Sequence, residues 1–302
     1  MVVTGSSGDL AADRRYQWAA GALESRDFEA ARDLFAQVLE LAPAWAPGWR
    51  GLGEALEALQ KRDEAVAAFR KALALDPADI GGAGLHLAFL AGEKPATAPR
   101  AYVTALFDQY AAKFDRHLVQ ALAYRGPQIL DAAISRAAPG RMFAHALDLG
   151  CGAGLFGAAF RGRAKRLTGI DLSPAMIEQA RGKGIYDRLI AADLVDFLAA
   201  EAAESADLAA AADVFVYIGD LAPLFAVVAR VLESGGLFAF TAQSQEHDGY
   251  CVGEDMRFSH GEAYLRACAA QAGFATLELA PAVTRKDRGA DVPGWAVILR
   301  KI

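Results

Sequence analysis

The chain has 302 residues, of which 54% are hydrophobic and 23% are charged. This length suffices for one large domain or two ordinary ones, and the Ala-rich composition favours helix-rich folded structure over disorder. The formal net charge of −6 disfavours a general nucleic-acid-binding protein, because neutralising phosphates requires clustered Lys and Arg. We therefore expect no nucleic-acid partner.

The cysteines and the apolar runs indicate the cellular compartment in which the protein is expected. Cys151, Cys251 and Cys268 show neither the CxxC nor the mixed Cys/His spacing of metal ligands, so we predict no metal site. An odd number of unpaired cysteines suits a reduced protein. The first residues lack the apolar core of a signal peptide, and no apolar run is long enough to span a bilayer. We expect a soluble, cytoplasmic protein with no membrane partner.

The N-terminal part of the chain repeats itself at a fixed offset, which aligns Ala31 with Ala65 and Phe35 with Phe69. The period of about 34 residues is that of a tetratricopeptide helix pair. The second copy resembles the tetratricopeptide pattern through Trp49, Leu52, Gly53, Leu56, Ala65, Phe69 and Pro77. Small residues let paired helices approach closely, while the phenylalanines fill the space between them.

These features predict an all-α, tetratricopeptide-like domain over residues 11–92, including a capping helix over 82–91, behind a flexible segment over 1–10. A linker over 93–99 follows, because it combines Gly, Pro and small polar residues. Two further helical patterns, 101–114 and 117–138, precede the first strand.

From Ala144 onward, strand-like runs alternate with helical patterns, which is typical of a parallel sheet with helices on both faces. The predicted strands are 144–149, 166–170, 188–191, 208–212 and 236–241. The predicted helices are 152–161, 173–181, 194–203, 221–232 and 261–272. The tail differs, since Phe274–Leu279 and Trp295–Arg300 predict an antiparallel hairpin joined by a charged loop over 285–288. We therefore expect an α/β, Rossmann-like domain over 100–302, including the helices within 100–138.

The first predicted strand runs into a glycine-rich loop, Gly150-Cys151-Gly152-Ala153-Gly154, and then into a helix. Glycines permit a tight turn and leave no Cβ between the backbone and a ligand, and the helix N-terminus offers free N–H groups. Such loops bind nucleotides at the carboxyl ends of parallel strands. The loop alone is ambiguous, because with Gly157 it also satisfies the dinucleotide fingerprint.

Acidic residues accompany three successive strands. Asp148 lies at the end of the first, Asp171 ends the second, and Asp193 follows the third. An acid about twenty residues past the glycines suits a ribose diol in either cofactor. The ordered set resembles class I S-adenosylmethionine-dependent methyltransferases, in which the third acid usually receives the adenine amino group. The alternative is that each Asp only caps a helix or lies in a loop.

The resemblance implies a class I methyltransferase fold and S-adenosylmethionine as cofactor. On the methionine side, the loop glycines Gly150, Gly152 and Gly154 would lie along the cofactor. Asp148 would support the loop and the cofactor amino group. Asp213, just past the fourth strand, would face the methionine end and the entering substrate, although a helix-capping role suits it equally.

On the adenosine side, the resemblance implies that Asp171 takes the ribose hydroxyls and that Leu172 and Met176 pack on the adenine. Asp193 would bind the adenine amino group, and Leu194 would shelter the ring.

The segment from Leu106 to Asp115 also resembles the aromatic-rich helix that covers the cofactor in many small-molecule methyltransferases. Helical spacing puts Tyr110 and Phe114 on one face, where the resemblance implies a lid over the cofactor and an ordinary core pair is the alternative. The whole arrangement resembles the predicted methyltransferases with N-terminal tetratricopeptide repeats.

The loop after the fifth strand holds the candidates for acceptor chemistry. We predict His260 as a general base, with Arg257 and Tyr264 contacting substrate; the alternative for His260 is a capping or surface role. The leading function is methyl transfer to an O, N or C nucleophile of a small molecule. Alternatives are a protein methyltransferase whose repeats recruit a polypeptide, a non-catalytic adaptor and, more distantly, a nicotinamide oxidoreductase.

Overall fold

The structure is a computed structural model that describes residues 5–111, 124–287 and 289–302. The chain divides into two compact units, one of Met1–Ala105 with Glu254–Met256 and one of Leu106–Gly253 with Arg257–Ile302. The division falls inside a helix rather than in the predicted linker over 93–99, so the exact domain boundaries stay a prediction. None of the helices in the described ranges combines the length and the apolarity that a membrane crossing requires.

The first unit is all-α. Its helices are α1 (Leu10–Glu24), α2 (Phe28–Leu41), α3 (Ala46–Ala58), α4 (Arg62–Leu75) and α5 (Ala83–Ala91). Each packs against the next along the chain, as a stack of helix pairs does. The predicted all-α, tetratricopeptide-like architecture is confirmed, and the capping role of α5 stays a prediction.

Close packing between the helices depends on glycine. A Cβ added to Gly51 would lie 2.3 Å from the ring of Phe35, and one added to Gly53 would lie 2.6 Å from the ring of Phe69. Both phenylalanines are fully buried. Ahead of this stack, the Ser7 amide donates to Asp13 at 2.8 Å, which holds part of the segment predicted as flexible against α1.

The second unit is an α/β domain. Its strands are β1 (Phe143–Leu149), β2 (Ala164–Asp171), β3 (Arg188–Ala191), β4 (Ala206–Ala211), β5 (Leu232–Gln243), β6 (Tyr250–Val252), β7 (Phe258–His260), β8 (Phe274–Asp287) and β9 (Ala290–Lys301). Its helices are α6 (Arg100–Tyr110, which begins in the first unit), α7 (Gly126–Ala137), α8 (Leu155–Phe160), α9 (Pro174–Gly182), α10 (Leu194–Ala200), α11 (Ala222–Val231) and α12 (Glu262–Gln271).

The main sheet has seven strands in the order β3-β2-β1-β4-β5-β9-β8. Strands β1 to β5 are parallel, whereas β9 and β8 are antiparallel at one edge. The predicted Rossmann-like fold with a C-terminal antiparallel hairpin is confirmed. Apolar side chains fill both faces, with an aromatic cluster of Phe215, Phe225, Phe238, Phe240 and Phe274 on one of them. Burying each such ring stabilises the fold by roughly 1.5–3 kcal/mol.

Three elements differ from the sequence predictions. The hairpin strands β8 and β9 are longer than predicted, so Arg285 lies in β8 instead of in a charged connecting loop. Strand pairing rests on backbone hydrogen bonds, and the extension therefore has no apolar pattern to reveal it. The loop after β5 contains the small sheet of β6 and β7. The helix predicted over 117–138 begins within the described residues at Gly126, with Pro127 in its first turn.

Candidate cofactor and acceptor site

The glycine loop follows β1 at the point where the strand order reverses between β1 and β4. Gly150, Gly152 and Gly154 have φ values of 69°, 52° and 90°, a left-handed backbone that favours glycine. A Cβ added to Gly150 would also lie 2.5 Å from the side chain of Val214, just past β4. The loop is therefore shaped by backbone conformation and by its contact with the end of β4.

Asp171 ties this loop to the end of β2. One carboxylate oxygen accepts from the Gly152 amide at 2.8 Å, and the other accepts from the Ser173 amide at 2.9 Å. The residue is 8% exposed, and desolvation raises the pKa of its carboxyl. Each carboxylate oxygen has a further lone pair. The acid predicted to take ribose hydroxyls thus lies directly beside the loop.

Asp148 lies beneath the loop and is 1% exposed. The Tyr186 hydroxyl donates to its carboxylate at 2.6 Å. Burial raises the pKa of Asp148 to about 7, and the neighbouring charge of Asp171 adds to that shift. The raised pKa places the protonation equilibrium of Asp148 near neutral pH, and its support of the loop stays a prediction.

Tyr186 was missed by sequence reasoning, since a single aromatic residue before a short strand carries no pattern. A Cβ on Gly157 would lie 2.3 Å from its hydroxyl oxygen, and one on Gly154 would lie 3.1 Å from its ring. Gly157 therefore makes room for Tyr186. This packing explains the third glycine of the apparent dinucleotide fingerprint without a dinucleotide.

Asp193 follows β3 at the same edge of the sheet. It is the N-cap of α10, where its carboxylate accepts from the amides of Val195 at 2.9 Å and Asp196 at 3.2 Å. The helix-capping alternative therefore describes one role of this residue. Leu172 and Leu194, the predicted adenine contacts beside these acids, are half-buried. Contact with an adenine stays a prediction for all three.

Helix α6 lies against the glycine loop. Phe107 and Ala111 pack with Ala153 and the fully buried Met176. Asp108 accepts from the hydroxyl of Ser173 and from the Ala175 amide, at the start of α9. This helix was predicted as a lid, and the residues packed on the loop are Phe107 within it and Ala111 just past its end. The side chain predicted for that role, Tyr110, is 42% exposed, and Phe114 lies outside the described residues.

The Asp213 cluster, which we define as Asp213, Tyr217, Gln243, Arg257 and Arg285, lies at the carboxyl ends of β4 and β5. Asp213 has a φ of 61°, and its amide donates to the Thr241 hydroxyl at 2.9 Å. Asp213 is not the N-cap of a helix, because the short 3-10 helix Phe215–Tyr217 has Val214 as its N-cap and the next α-helix, α11, begins at Ala222.

Arg285 is 2% exposed and donates through its two Nη atoms to Asp213 and to Gln243, the latter at 2.7 Å. Next to Arg285 in β8, the Thr284 carbonyl accepts from the Arg125 amide at 2.7 Å, which brings Tyr124 into the same region. Burial and the nearby carboxylates of Asp213 and Asp148 raise the pKa of Tyr124 well above its usual value.

Arg257, predicted as a substrate contact, lies close enough to the Tyr217 hydroxyl for its guanidinium group to lower the pKa of that hydroxyl. The ring of Tyr217 meets that of Phe107 edge-on, with centroids 5.4 Å apart. Burial raises the pKa of Tyr217, while the two guanidinium groups oppose that shift. Tyr217 thus connects the helix that lies on the glycine loop with the Asp213 cluster.

The surroundings of His260, predicted as a general base, favour a structural role. Its ring is fully buried in β7, where Nε2 donates to the carbonyls of Ile218 at 3.0 Å and Gly219 at 3.1 Å. Burial lowers the pKa of His260 to about 4. Its other ring nitrogen, Nδ1, has no exposed surface and no partner among the described residues. The ring therefore holds the segment after β4, and the general-base role of His260 stays a prediction.

Tyr264 holds the same segment from α12. Its hydroxyl accepts from the Leu221 amide at 2.8 Å and donates to the Asp220 carboxylate at 3.2 Å. Burial raises the pKa of Tyr264 above its usual value. Contact between Tyr264 and a substrate stays a prediction.

Fold and site together define a class. A parallel sheet with an antiparallel pair at one edge, a glycine loop at the switch point and acids at successive strand ends make up a Rossmann-like methyltransferase fold. Comparison with protein families indicates the same kind of domain. Residues 147–240 match the family described as a methyltransferase domain, and residues 46–79 match the tetratricopeptide repeat. The chain is therefore similar to methyltransferase domains over residues 147–240 and to tetratricopeptide repeats over residues 46–79.

Curated relatives match over part of their length. The malonyl-[acyl-carrier protein] O-methyltransferase of Salmonella typhimurium is 36% identical over 106 residues, which cover 35% of this chain and 41% of that protein. The ubiquinone biosynthesis O-methyltransferase of Thiobacillus denitrificans is 30% identical over 112 residues, covering 35% of this chain and 47% of that protein. The chain thus spans less than half the length of these relatives.

A solved structure agrees on the fold. The 1,6-didemethyltoxoflavin-N1-methyltransferase of Burkholderia thailandensis, with bound 1,6-didemethyltoxoflavin and S-adenosylhomocysteine, superimposes with a TM-score of 0.51 at 20% identity. The superposition covers 68% of this chain and 92% of that one. At this identity the likeness supports the fold and leaves the reaction to be argued from the site.

Proposed function

We propose that this chain is an S-adenosylmethionine-dependent methyltransferase that transfers the methyl group to an oxygen, nitrogen or carbon nucleophile of a small molecule. One observation carries the proposal. Carboxylates end β1 and β2 beside a single glycine loop, with Asp171 bonded to the loop and Asp148 buried two residues before it. The curated relatives named above, both O-methyltransferases, support a small-molecule acceptor.

The residues at the loop suit the cofactor. The loop carries no Cβ at Gly150, Gly152 and Gly154, so the backbone can approach the methionine part closely. Asp171 has oxygen lone pairs left for ribose hydroxyls after accepting from two amides. Asp193 would accept from the adenine amino group. When bound, S-adenosylmethionine supplies a methyl group on a positively charged sulfur.

The chain's own contribution is positioning. Methyl transfer is an in-line displacement, so holding the acceptor atom against the methyl group supplies much of the acceleration. The glycine loop would hold the methyl donor. Phe107 of α6 and Ala111, just past its end, pack against this loop. The Asp213 cluster would face the acceptor on the other side, because the end of β4 touches the loop at Gly150.

Isothermal titration calorimetry with S-adenosylmethionine, S-adenosylhomocysteine and NAD tests the cofactor. We expect the first two to bind and NAD not to bind. Asp171→Asn should weaken S-adenosylhomocysteine at least about tenfold, because a charge-assisted hydrogen bond is lost. The matched variant Asp291→Asn, at an exposed pair with Lys286, should leave affinity unchanged. Binding of NAD without binding of S-adenosylhomocysteine would overturn the proposal.

The tetratricopeptide repeat supports a second proposal, in which the repeats recruit a polypeptide that is itself the methyl acceptor. Exposed apolar side chains on α1, Leu10 at 86% and Trp18 at 57%, would suit such a partner. The two proposals differ in the acceptor that is labelled by radioactive S-adenosylmethionine, a free small molecule or a polypeptide bound to the repeats.

A further inference from the structure

The ring of Tyr186 fills a slot that three glycines leave open. A Cβ on Gly157 of α8 would lie 2.3 Å from the phenol oxygen, and one on Gly169 of β2 would lie 2.9 Å from the ring. On the side of the glycine loop, a Cβ on Gly154 would lie 3.1 Å from the same ring. Close packing of this kind leaves the ring no room to shift. The ring is therefore held between α8, β2 and the glycine loop.

The backbone beside Tyr186 is fixed as well. The Asp187 amide donates to the Leu167 carbonyl at 2.9 Å, and the Asp187 carboxylate accepts from the Leu167 amide at 2.7 Å. These two hydrogen bonds anchor the residue after Tyr186 to β2. The Tyr186 hydroxyl donates to Asp148, which is 1% exposed, at 2.6 Å. Since backbone and ring are both held, the hydroxyl is kept in position against the buried carboxylate.

The Tyr186 hydroxyl also acts on the charge of Asp148. Burial raises the pKa of that carboxyl to about 7, the hydrogen bond from Tyr186 opposes the shift, and the charge of Asp171 adds to it. A donor favours the ionised form of the carboxyl that it contacts. Cys151 and Tyr124 are further titratable neighbours of Asp148, and burial raises the pKa of both, so that they stay neutral. The hydroxyl therefore favours the carboxylate in the pH range where Asp148 titrates.

From this geometry we infer that Tyr186 is a positioning residue for the cofactor, which holds the Asp148 carboxylate in place and in its anionic form for the amino group of S-adenosylmethionine. The inference rests on the proposed methyltransferase function and adds to the cofactor site a residue outside the glycine loop. Tyr186 acts through Asp148. An anionic carboxylate makes a charge-assisted hydrogen bond with an ammonium group, whereas a protonated carboxyl lacks that charge. Cofactor affinity should therefore follow the ionisation of Asp148.

Tyr186→Phe keeps the ring and removes the donor, so the pKa of Asp148 should rise. Calorimetry with S-adenosylhomocysteine compares this variant with the unmodified full-length protein at each pH, which cancels any titration of the ligand itself. We expect the affinity of the variant to be about fivefold weaker near pH 6.5 and to converge to within about twofold near pH 8.5. Loss of packing alone would weaken binding by the same factor at every pH.

Gly157→Ala reaches the same hydroxyl from α8. Its Cβ would displace the phenol from Asp148, so this variant should show the same pH-dependent loss with Tyr186 intact. Gly162→Ala is the matched control, because a Cβ there meets no atom of the described residues within 4 Å. It should leave affinity unchanged at every pH. In an Asp148→Asn background, Tyr186→Phe should add no pH-dependent change, since the group whose ionisation it controls is gone.

A loss of affinity in Tyr186→Phe that is equal at all pH values would mean that Tyr186 only packs the loop, and it would overturn the inference. An unchanged affinity, or a pH-dependent loss that persists in the Asp148→Asn background, would overturn it as well. Failure of the proposed function has a different signature, which is absence of S-adenosylhomocysteine binding to the unmodified protein at every pH.

Discussion

The two halves of the candidate site are assembled from the chain in different ways. The cofactor half consists of residues at or just past the ends of β1, β2 and β3, so that strand ends and loop motif follow one another in sequence. The acceptor half joins Asp213 to Arg285, which lie 72 residues apart along the chain. A local motif can encode the first half, whereas the second exists only after the sheet and its C-terminal hairpin have formed. We therefore expect perturbations of the two halves to be separable.

The largest effect should come from breaking the ion pair of the acceptor half. Arg285→Gln leaves the Asp213 carboxylate without its cation in a mostly buried position, and we expect a loss of roughly 3 kcal/mol in the free energy of unfolding. Urea denaturation measures this loss. The double variant Asp213→Asn/Arg285→Gln removes both charges and should recover much of the stability.

Calorimetry on the same variants tests whether the cofactor half and the acceptor half are separable. If the halves are separable, the double variant should bind S-adenosylhomocysteine within about twofold of the unmodified protein. A parallel loss of cofactor affinity would mean that the Asp213 cluster also shapes the glycine loop, and the division into halves would be wrong.

The next effect concerns Asp148 in the cofactor half. Its folded-state pKa of about 7 lies above the unfolded value of about 3.9, so the folded protein holds a proton that the unfolded chain releases. The stability that this proton contributes is fully present below about pH 4 and is lost as pH rises towards 7. Tyr186 donates to the carboxylate, and Asp171 adds a negative charge nearby.

Asp148→Asn should therefore flatten the decline in stability between pH 5 and 8, which the linkage puts at about 2–3 kcal/mol over that range. Unfolding by urea at several pH values measures it. Asp131→Asn, at a partly exposed pair with Arg163 in the same unit, serves as the control and should keep the slope of the unmodified protein. An unchanged slope in Asp148→Asn would contradict the buried, proton-binding state.

The sequence predicted the cofactor half of the site better than the acceptor half. The glycine loop and Asp171 were placed correctly beside one another, because strand ends of a parallel sheet meet at one edge and each strand had a clear apolar pattern. Arg285 was assigned to a solvated loop because charged residues in a row indicate exposure, and nothing local shows that β8 extends beneath them. His260 was predicted as a base from its residue type alone. Its ring is hydrogen-bonded to backbone carbonyls 41 and 42 residues earlier in the chain, which no local pattern reveals.

The smallest effect should separate two roles of one residue in the cofactor half. Asp193 caps α10, and loss of such a cap costs about 1 kcal/mol. Asp193→Ser retains a capping oxygen but removes the negative charge proposed to receive the adenine amino group. We therefore expect Asp193→Ser to preserve stability within about 0.5 kcal/mol and to weaken S-adenosylhomocysteine several-fold. Thermal unfolding and calorimetry measure the two quantities.

Asp27 offers a matched control, because it caps α2 in the helical unit through a hydrogen bond from the Ala30 amide and has no proposed contact with the cofactor. Asp27→Ser should leave both stability and cofactor affinity nearly unchanged. If Asp193→Ser behaves in the same way, Asp193 is a helix cap and no more. The cofactor half would then rest on Asp148, Asp171 and the glycine loop, and recognition of the adenine would have to come from the apolar side chains beside them.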